Sequence, residues 1–375
     1  MVKFIQTSDW QIGMKAGGLG EAGSLIREER IGSISTIFEI AQENEADFVL
    51  ICGDVFEHNM ISSEDVLKVV SIFNSYPDMP IYLLPGNHDA LGPGSVYERN
   101  IFSRIPNLTI FKKYEPLNID SVTFHPLPIK SYSQEEAQTR NLQCVKELEG
   151  IHIGVAHGSL IGAVYVSDED LDYPIDPTFI ETSGIDYLAL GHWHSHRQFK
   201  DGNGITRIAY SGTHEQTKYA EDSAGHCLLV EIEGKGETPR IKPIKCGKLT
   251  WNSIDFELRD VASISELSTQ LDSAKDFDML ELNLTGEISI EDRLEIENLL
   301  EYHKTQHSHF RVKIDNFQYI ATVSLDKVKD LGDPILNQTD KCLRDTLQVE
   351  TNSGNRAVIV EALSLLQRLV SEVSQ

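Results

Sequence analysis

Four apolar segments in the first half of this chain each end in a short polar motif, and this repetition restricts how the chain can fold. The motifs are Asp9-Trp10-Gln11, Gly53-Asp54, Gly86-Asn87-His88-Asp89 and Gly191-His192-Trp193-His194. The segment before Gly53, Asp47-Phe48-Val49-Leu50-Ile51-Cys52, is almost wholly apolar, as in a strand whose sheet is covered on both faces. Because open α/β sheets place functional side chains at strand ends, the pattern predicts a layered α/β domain with one shared site.

Apolar strands alternate with helical patterns from residue 1 to about residue 245. An apolar series that includes Leu25, Ile34 and Ala41 has helical spacing, and Ser62-Ser63-Glu64-Asp65 is a helix start signal. The predicted strands, in chain order, are residues 2–7, 47–52, 80–84, 151–156, 185–190, 205–211 and 226–232. We therefore assign residues 1–245 to one α/β domain.

The composition changes after Gly234-Lys235-Gly236-Glu237-Thr238-Pro239, which is typical of a turn or short linker. Residues 249–330 are predicted to form a smaller α+β domain. Its strands are predicted at 251–258, 279–284, 310–314 and 319–324, and its helices at 264–271 and 290–300. Residues 331–375 are predicted to be a helical segment. Its helix at 355–373 has an apolar stripe of Leu363, Leu366, Leu369 and Val370, which is typical of a surface that packs in a core or faces a partner.

The bulk composition is that of a soluble globular protein. Of the 375 residues, 40% are hydrophobic and 24% are charged, and no apolar stretch approaches the ~20 residues that a membrane helix needs. The first six residues resemble a strand and not a signal peptide. The five cysteines are scattered and form no Cys-x-x-Cys pair, so we expect a reducing, cytoplasmic location without disulfides.

The net charge of −25 restricts the partners that this chain can hold. Proteins that bind nucleic acid unaided usually present an excess of lysine and arginine. A metal site attracts phosphate locally, whereas the field of the whole chain repels it. A role on DNA would therefore need a local basic patch, or a partner that brings the nucleic acid.

The polar motifs supply the ligands that hard divalent metals prefer, namely carboxylates, an amide oxygen and imidazoles. A two-metal site needs one carboxylate that both ions share, and Asp54, at the end of a buried strand, is the natural bridge. Asp9 would lie on the first metal. The other candidate ligands are the amide oxygen of Asn87 and the imidazoles of His157, His192 and His194.

His88 does not have to be a metal ligand. Beside Asn87, it is well placed to protonate the leaving oxygen or to stabilise charge on the phosphate, and Asp89 would then orient its ring. Each motif alone also has an ordinary structural explanation, since Gly-Asn is a common turn dipeptide. Their combination at strand ends, in this order, favours the metal site.

The order of these motifs resembles the calcineurin-like metallophosphoesterase superfamily. More narrowly, it resembles the SbcD family of DNA repair nucleases, the bacterial relatives of the nuclease subunit in double-strand-break repair complexes. The likeness covers about residues 1–325 and rests on Gln6-Thr7-Ser8-Asp9-Trp10, Cys52-Gly53-Asp54-Val55-Phe56, Leu84-Pro85-Gly86-Asn87-His88-Asp89 and Ala209-Tyr210-Ser211-Gly212-Thr213. Leu282-Asn283-Leu284-Thr285-Gly286 is similar to the start of the family's small capping domain.

The resemblance implies a two-sheet metallophosphoesterase domain with a capping domain and C-terminal helices. It places Asp9, Asp54 and His194 on one metal, and it places Asp54, Asn87, His157 and His192 on the other. It makes His88 the catalytic histidine and implies two Mn²⁺ per subunit, with Mg²⁺ as the alternative. The implied activities are 3′→5′ exonuclease and single-strand endonuclease. The implied partners are DNA, a coiled-coil ATPase of the SbcC type that binds the C-terminal helices, and a second copy of the chain.

Two positions depart from the family pattern. Gln11 stands where the family has a histidine, and Glu57, followed by His58, stands where the family commonly has histidine or aspartate. A glutamine amide can ligate a metal, but it is a weaker donor than imidazole for a transition metal, so the first metal is expected to be loosely held or absent in the resting protein. Glu57 would repel substrate from the phosphate path unless it faces away.

Two other functions stay open. A phosphodiesterase for a small phosphoester, such as a cyclic nucleotide, agrees with the acidic net charge but not with the long extension after residue 245. A scaffold subunit with a weakened metal site agrees with Gln11, but not with an otherwise complete set of ligands.

Overall fold

The structure is a computed structural model that describes residues 1–20, 22–129, 145–162, 172–219, 221, 223–289, 292–320 and 334–373. It divides the chain into two compact units, Met1–Leu249 and Thr250–Gln375. Within the described residues, no helix is both long enough and apolar enough to cross a membrane.

The first unit is built from two six-stranded sheets and their flanking helices. Its strands are β1 Val2–Thr7, β2 Phe48–Cys52, β3 Ile81–Leu84, β4 Leu108–Ile110, β5 Leu117–Ile119, β6 Val122–Leu127, β7 Ile151–His157, β8 Tyr187–Gly191, β9 Arg197–Lys200, β10 Thr206–Tyr210, β11 His226–Ile232 and β12 Arg240–Lys245. Its α-helices are α1 Ala22–Glu43, α2 Ser63–Ser75 and α3 Thr178–Ser183, and short 3₁₀ helices span Gly17–Leu19, Val96–Glu98 and Phe102–Arg104.

The strand order is β12-β11-β1-β2-β3-β4 in the first sheet and β5-β6-β7-β8-β10-β9 in the second. Strands β1 to β4 are parallel to one another, as are β6, β7, β8 and β10. The layered α/β fold predicted from the sequence is confirmed, and each of the seven predicted strands of this unit is present. The helix start at Ser62 is also confirmed, because the Ser62 side chain accepts a hydrogen bond from the amide of Asp65.

The core of the first unit follows from the two-residue period of its strands. Leu50 packs into the cluster between the two sheets, whereas its neighbours Val49 and Ile51 pack into the cluster that includes residues of α1 and α2. Gln6 also links the sheets, since its amide donates to the carbonyls of Leu190 and Ala209 at 3.1 and 2.9 Å. Strand β2 is therefore buried on both faces, which explains its continuous apolar sequence.

The second unit contains a parallel sheet of three strands made by two strand–helix–strand crossovers. The elements are β13 Trp251–Leu258, α4 Val261–Ser273, β14 Met279–Ser289, α5 Arg293–Lys304 and β15 His309–Ile320. The prediction of two strands at 310–314 and 319–324 was wrong for the described part, because His309 to Ile320 is one strand, whose register with β14 shifts between Lys313 and Asn316. Residues 321–324 lie outside the described residues.

Two further helices, α6 Pro334–Val349 and α7 Ser353–Val373, complete the second unit. They pack through a small cluster centred on Leu347 and Leu363. Of the predicted apolar stripe, Leu363 and Leu366 are buried, and the side chains of Leu369 and Val370 lie outside those described. The assignment of this segment to partner binding stays a prediction, as do the proposed domain boundaries at 245, 249 and 330.

Candidate metal centre

The candidate ligands lie where parallel strands of both sheets end. Asp9 follows β1 and Asp54 follows β2, and the two loops run side by side, with the amide of Asp9 donating to the carbonyl of Gly53 at 3.0 Å. In the second sheet, His157 at the end of β7 pairs in register with Gly191 at the end of β8. His192 therefore emerges beside His157, and the ends of the two sheets supply one site.

Four candidate residues have left-handed backbone conformations that side-chain-bearing residues rarely adopt. Their φ angles are 56° at Asp9, 40° at Gln11, 54° at Asp54 and 109° at His192. Such conformations each cost about 1–3 kcal/mol and persist only where the surrounding structure holds them. Their concentration at predicted ligands indicates a functional site.

The ligand set predicted for the second metal converges. His157 Nε2 lies 3.2 Å from Asp54 Oδ2 and 2.9 Å from Asn87 Oδ1, and His192 Nδ1 lies 3.2 Å from Asn87 Oδ1. His157 Nδ1 donates to the carbonyl of Cys52 at 2.8 Å. Because that bond fixes the ring, Nε2 is the nitrogen that faces the other ligands.

Glycines allow this convergence. A Cβ on Gly86 would lie 2.1 Å from Asp54 Oδ1, and a Cβ on Gly53 would lie 2.2 Å from His157 Nδ1. Gly53 also has a φ of 94°, which disfavours other residues. The absence of a side chain at these two positions therefore lets the strands bring their ligand side chains this close.

The buried carboxylates of the site are stabilised by nearby positive charge. Burial alone would raise the pKa of Asp54, but the charge and hydrogen bond of His157 outweigh burial and hold that pKa at about 2. Burial likewise lowers the pKa of His157, but Asp54 and then Asp9 raise it to about 9. The donor atoms of Asp9, Asp54 and His157 lie within 4.8 Å of one another. Buried carboxylates with imidazole and amide donors fit a divalent cation, whose charge would offset those of Asp9 and Asp54.

The set predicted for the first metal is less compact. The Asp9 carboxylate accepts from the amide of His192 at 3.2 and 3.0 Å and lies with Asp54 and His157. His194 is not part of that three-residue group; its Nδ1 lies 2.6 Å from Glu221 Oε1. Gln11 is buried and lines a cavity of about 150 Å³ together with Arg27, Arg30 and Asp65.

His88 is held by backbone contacts on both sides. Its amide donates to Asp54 Oδ1 at 2.9 Å, and its Nδ1 donates to the carbonyl of Glu57 at 2.9 Å. Burial lowers the pKa of His88, but the charge of Asp54 and the bond to Glu57 more than offset burial, so the net pKa is raised. His88 Nε2 is therefore the atom that can carry a proton to a substrate.

Asp89 connects two site loops instead of holding His88. Its Oδ1 accepts from the amide of Gly86 at 2.7 Å, and its Oδ2 accepts from the amide of Phe56 at 3.1 Å and from the Tyr97 hydroxyl at 2.5 Å. The predicted contact between Asp89 and the His88 ring is not among the described hydrogen bonds; the Glu57 carbonyl takes that place. A direct catalytic role for Asp89 stays a prediction.

Sequence reasoning missed a buried arginine that holds the loop after β1. Arg30, on α1, is 1% exposed and donates to the carbonyls of Asp9 and Trp10, each at 3.0 Å, and to that of Glu215 at 2.5 Å. Burial lowers its pKa to about 10. The available signal was its position four residues from both Ile26 and Ile34, on the apolar face of the helix.

Comparison with known proteins shows the family of this chain. Residues 2–196, just over half of the 375, match the calcineurin-like phosphoesterase family. The chain belongs to that family and is a hydrolase of the metal-dependent phosphoesterase class.

A DNA double-strand break repair protein Mre11 from Aeropyrum pernix is 26% identical to the chain over 283 residues. The aligned region is 70% of this chain and 66% of that protein, so the chain spans just under two thirds of that relative's length.

Two solved structures are more distant. The protein TT1561 of Thermus thermophilus is 11% identical with a TM-score of 0.45, over 65% of this chain and 99% of that one. Purple acid phosphatase PPD1 from yellow lupin, Lupinus luteus, is 11% identical with a TM-score of 0.41, over 65% of this chain and 51% of that one. Both scores are too low to carry an argument, and the family assignment rests on the sequence match.

Proposed function

We propose that this protein is the nuclease subunit of a DNA repair or processing complex of the SbcCD type. The observation that carries the proposal is the convergence of Asp54, Asn87, His157 and His192, with His88 held beside them. The similarity to a relative named as a DNA double-strand break repair protein supports DNA as the substrate. The proposed reactions are 3′→5′ exonucleolytic and single-strand endonucleolytic cleavage of phosphodiester bonds.

Two Mn²⁺ ions are the proposed cofactors, with Mg²⁺ as the alternative. Asp54, Asn87, His157 and His192 would hold one ion, and Asp9, Asp54 and His194 would hold the other, with Gln11 as a weak additional donor. When bound, such ions neutralise charge on the phosphate and lower the pKa of water.

The remaining chemistry belongs to His88. Because its Nδ1 proton is committed to the Glu57 carbonyl, its Nε2 holds the proton that passes to the leaving oxygen. The Asp54 carboxylate accepts the His88 amide, so the loop that bears the acid is fixed to a metal-ligand residue. Loss of the His88 ring should therefore reduce turnover and leave metal binding intact.

The partners follow from the charge. With a net charge of −25, the chain would hold DNA only with help from a basic patch or from another protein. We propose that a coiled-coil ATPase of the SbcC type supplies this help through the C-terminal helices, and that the complex contains two copies of the chain.

The test uses the full chain with Mn²⁺, alone and with a coiled-coil ATPase of the SbcC type, on linear duplex and single-stranded DNA. We expect cleavage that His88→Ala reduces by about 10²–10⁴-fold, as for loss of a general acid, while Glu115→Ala, at an exposed glutamate between β4 and β5, matches the wild type. Metal-loaded protein that leaves both DNAs intact in every combination would refute the nuclease proposal.

The second candidate is hydrolysis of a small phosphodiester, which the acidic charge favours because no long polyanion has to be held. A chromogenic phosphodiester and cyclic nucleotides should be included in the same assay. Rapid turnover of these compounds, with DNA left intact, would support the small-phosphodiester function. Inactivity on all substrates would support a scaffold subunit.

A further inference from the structure

Glu221 is a buried carboxylate in contact with one of the predicted metal ligands. It lies between β10 and β11, its side chain is 2% exposed, and its Oε1 lies 2.6 Å from His194 Nδ1. Its Oε2 accepts from the amides of Thr217 and Lys218 at 2.7 and 3.3 Å. The Thr217 hydroxyl also lies within 2.8 and 2.9 Å of the two carboxylate oxygens.

These contacts fix the tautomer of His194. The backbone amides and the Thr217 hydroxyl all have protons to donate, so the Glu221 carboxylate acts as an acceptor in this cluster. The proton between Glu221 and His194 therefore belongs to Nδ1. His194 Nε2 then carries a free lone pair, which is the form that ligates a metal.

We propose that Glu221 is a positioning residue for the first metal, and that its charge compensates for the glutamine at position 11. The proposal rests on the assignment of His194 and Gln11 to that metal in the proposed function. A carboxylate bonded to the far nitrogen of a histidine ligand makes the imidazole a stronger donor and fixes the direction of its ring. Gln11 offers only a neutral amide oxygen, so the first metal depends more on the remaining donors.

The described ion pairs of Glu221 are with His194 and Lys218, and neither partner is as buried as Glu221. Lys218 Nζ lies 3.9 Å from Oε1, but the Lys218 side chain is 67% exposed and is screened by solvent. The described hydrogen bonds of Arg30 go to backbone carbonyls and to the Thr213 hydroxyl. Burial lowers the pKa of Arg30, and the charge of Glu221 opposes that shift more than any other carboxylate does. Glu221 is therefore coupled to Arg30 through its charge, and it reaches the candidate metal ligands by its direct contact with His194.

A purely structural role for Glu221 is the competing explanation, because the carboxylate also fixes its own loop through Thr217 and Lys218. Asp186 provides the matched control. It is also buried in the first unit, and its carboxylate accepts from the amides of His152 and Gly236 at 2.8 and 2.6 Å. A variant at Asp186 removes similar backbone hydrogen bonds without touching the candidate ligands.

The experiment measures Mn²⁺ binding by calorimetry and by electron paramagnetic resonance on the full chain. The variants are Glu221→Ala, Glu221→Gln, His194→Ala and the control Asp186→Ala. We expect Glu221→Ala to lower the affinity for one of the two Mn²⁺ ions by about 10–100-fold and to leave the affinity for the other unchanged. Glu221→Gln, which keeps an acceptor but loses the charge, should lie between the wild type and Glu221→Ala. Asp186→Ala should lower the melting temperature without changing either affinity.

The compensation is tested in a second background. In the Gln11→His variant, an imidazole replaces the amide. Adding Glu221→Ala to that variant should lower the affinity for the first Mn²⁺ by a smaller factor than Glu221→Ala does in the wild type. If Glu221→Ala lowers the Mn²⁺ affinity by the same factor with Gln11 and with His at position 11, Glu221 does not compensate for Gln11. Unchanged Mn²⁺ binding in both Glu221 variants, or equal weakening in Asp186→Ala, would overturn the positioning role.

The outcomes separate this inference from the proposed function. A wild-type chain that binds two Mn²⁺ but leaves DNA intact refutes the nuclease, while the variant titrations still decide the role of Glu221. If the wild-type chain cleaves DNA and Glu221→Ala binds both Mn²⁺ ions as tightly as the wild type, the nuclease proposal stands and the positioning role of Glu221 is refuted.

Discussion

Removing the Tyr97 hydroxyl should destabilise the first unit by an amount that depends on pH. Tyr97 is buried and packs against Phe56 and Phe102, with ring centroids 6.1 and 5.5 Å apart. Tyr97→Phe keeps these contacts and removes only the donor to Asp89. The two backbone amides bonded to Asp89 stay in place. The variant should therefore lose one hydrogen bond to a charged acceptor, or about 1.5–3 kcal/mol.

The pH dependence follows from the ionisation of Asp89. Burial raises its pKa to about 6, with Asp54 adding to that shift, while the Tyr97 hydroxyl opposes it. A carboxyl group whose folded pKa lies above its unfolded value, 3.8 here, adds stability at low pH that is lost as the pH rises through about 6. Tyr97 stabilises the ionised form, so its removal should cost most above pH 6 and progressively less below it.

The assay is thermal unfolding of the chelated full chain at pH 8 and pH 5, followed by circular dichroism. For a unit of this size, 1 kcal/mol corresponds to roughly 2–4 °C. We expect the melting temperature of Tyr97→Phe to fall by several degrees at pH 8 and by clearly less at pH 5. Tyr302→Phe, at a tyrosine that is 56% exposed, should match the wild type at both pH values. If the melting temperature of Tyr97→Phe falls equally at the two pH values, Asp89 is not the charged acceptor. If it does not fall at pH 8, the hydrogen bond between Tyr97 and Asp89 does not stabilise the fold.

Three other changes test the site and its supports. Gln11→His should lower the Mn²⁺ concentration needed for activity, and an unchanged metal dependence would show that residue 11 is not a ligand. Arg30→Met removes the donors to the Asp9 and Trp10 carbonyls, so it should weaken Mn²⁺ binding and lower the melting temperature; unchanged metal titrations would contradict the role of Arg30 in holding that loop. Burial, followed by the charge of Arg30, lowers the pKa of His214 well below 6.5, so its contribution to stability is lost as the pH falls below 6.5. In His214→Gln, the free energy of unfolding should fall less steeply below pH 6.5 than in the wild type. An unchanged dependence on pH would show that another group controls it.

The ligands that sequence patterns could identify are those attached to strong strands. Strand β2 is five consecutive buried residues, which only a central strand provides, and its end fixes Asp54. His157 and His192 were predictable for the same reason, since β7 and β8 are buried at every residue. Parallel pairing then brings the strand ends together without further information from the sequence.

Edge strands were not predictable in the same way. β12, Arg240–Lys245, contains two lysines, an arginine and a proline, and its residues are largely exposed. Lysine and proline are common devices for protecting sheet edges, and they remove the apolar alternation that identifies a strand. β4 and β5 have only three residues each, which is too short for a periodic signal. β15 was divided in two near the place where its register with β14 shifts, between Lys313 and Asn316.

The supporting residues were missed because their partners are distant in sequence or belong to the backbone. Arg30 reaches the carbonyl of Glu215, 185 residues away, and Asp89 reaches the amide of Phe56, 33 residues away. Backbone atoms have no side-chain identity, so no pairing of charges along the sequence reveals such contacts. A charged residue on an apolar helix face, as at Arg30, is the one local sign of this arrangement.

These supports bear on whether Gln11 marks a decaying site. The strained loop of Asp9 and Gln11 is held by Arg30 through the carbonyls of Asp9 and Trp10, and by the amide of Gln11 on the carbonyl of Asp54. All of these contacts involve backbone atoms of the loop, so exchanging the side chain at position 11 leaves the loop path unchanged. A site that had lost its use would be expected to relax its strained φ angles, since each costs about 1–3 kcal/mol. The retained strain at Asp9, Gln11 and Asp54 therefore favours a metal centre with altered affinity over a scaffold that has lost its metal.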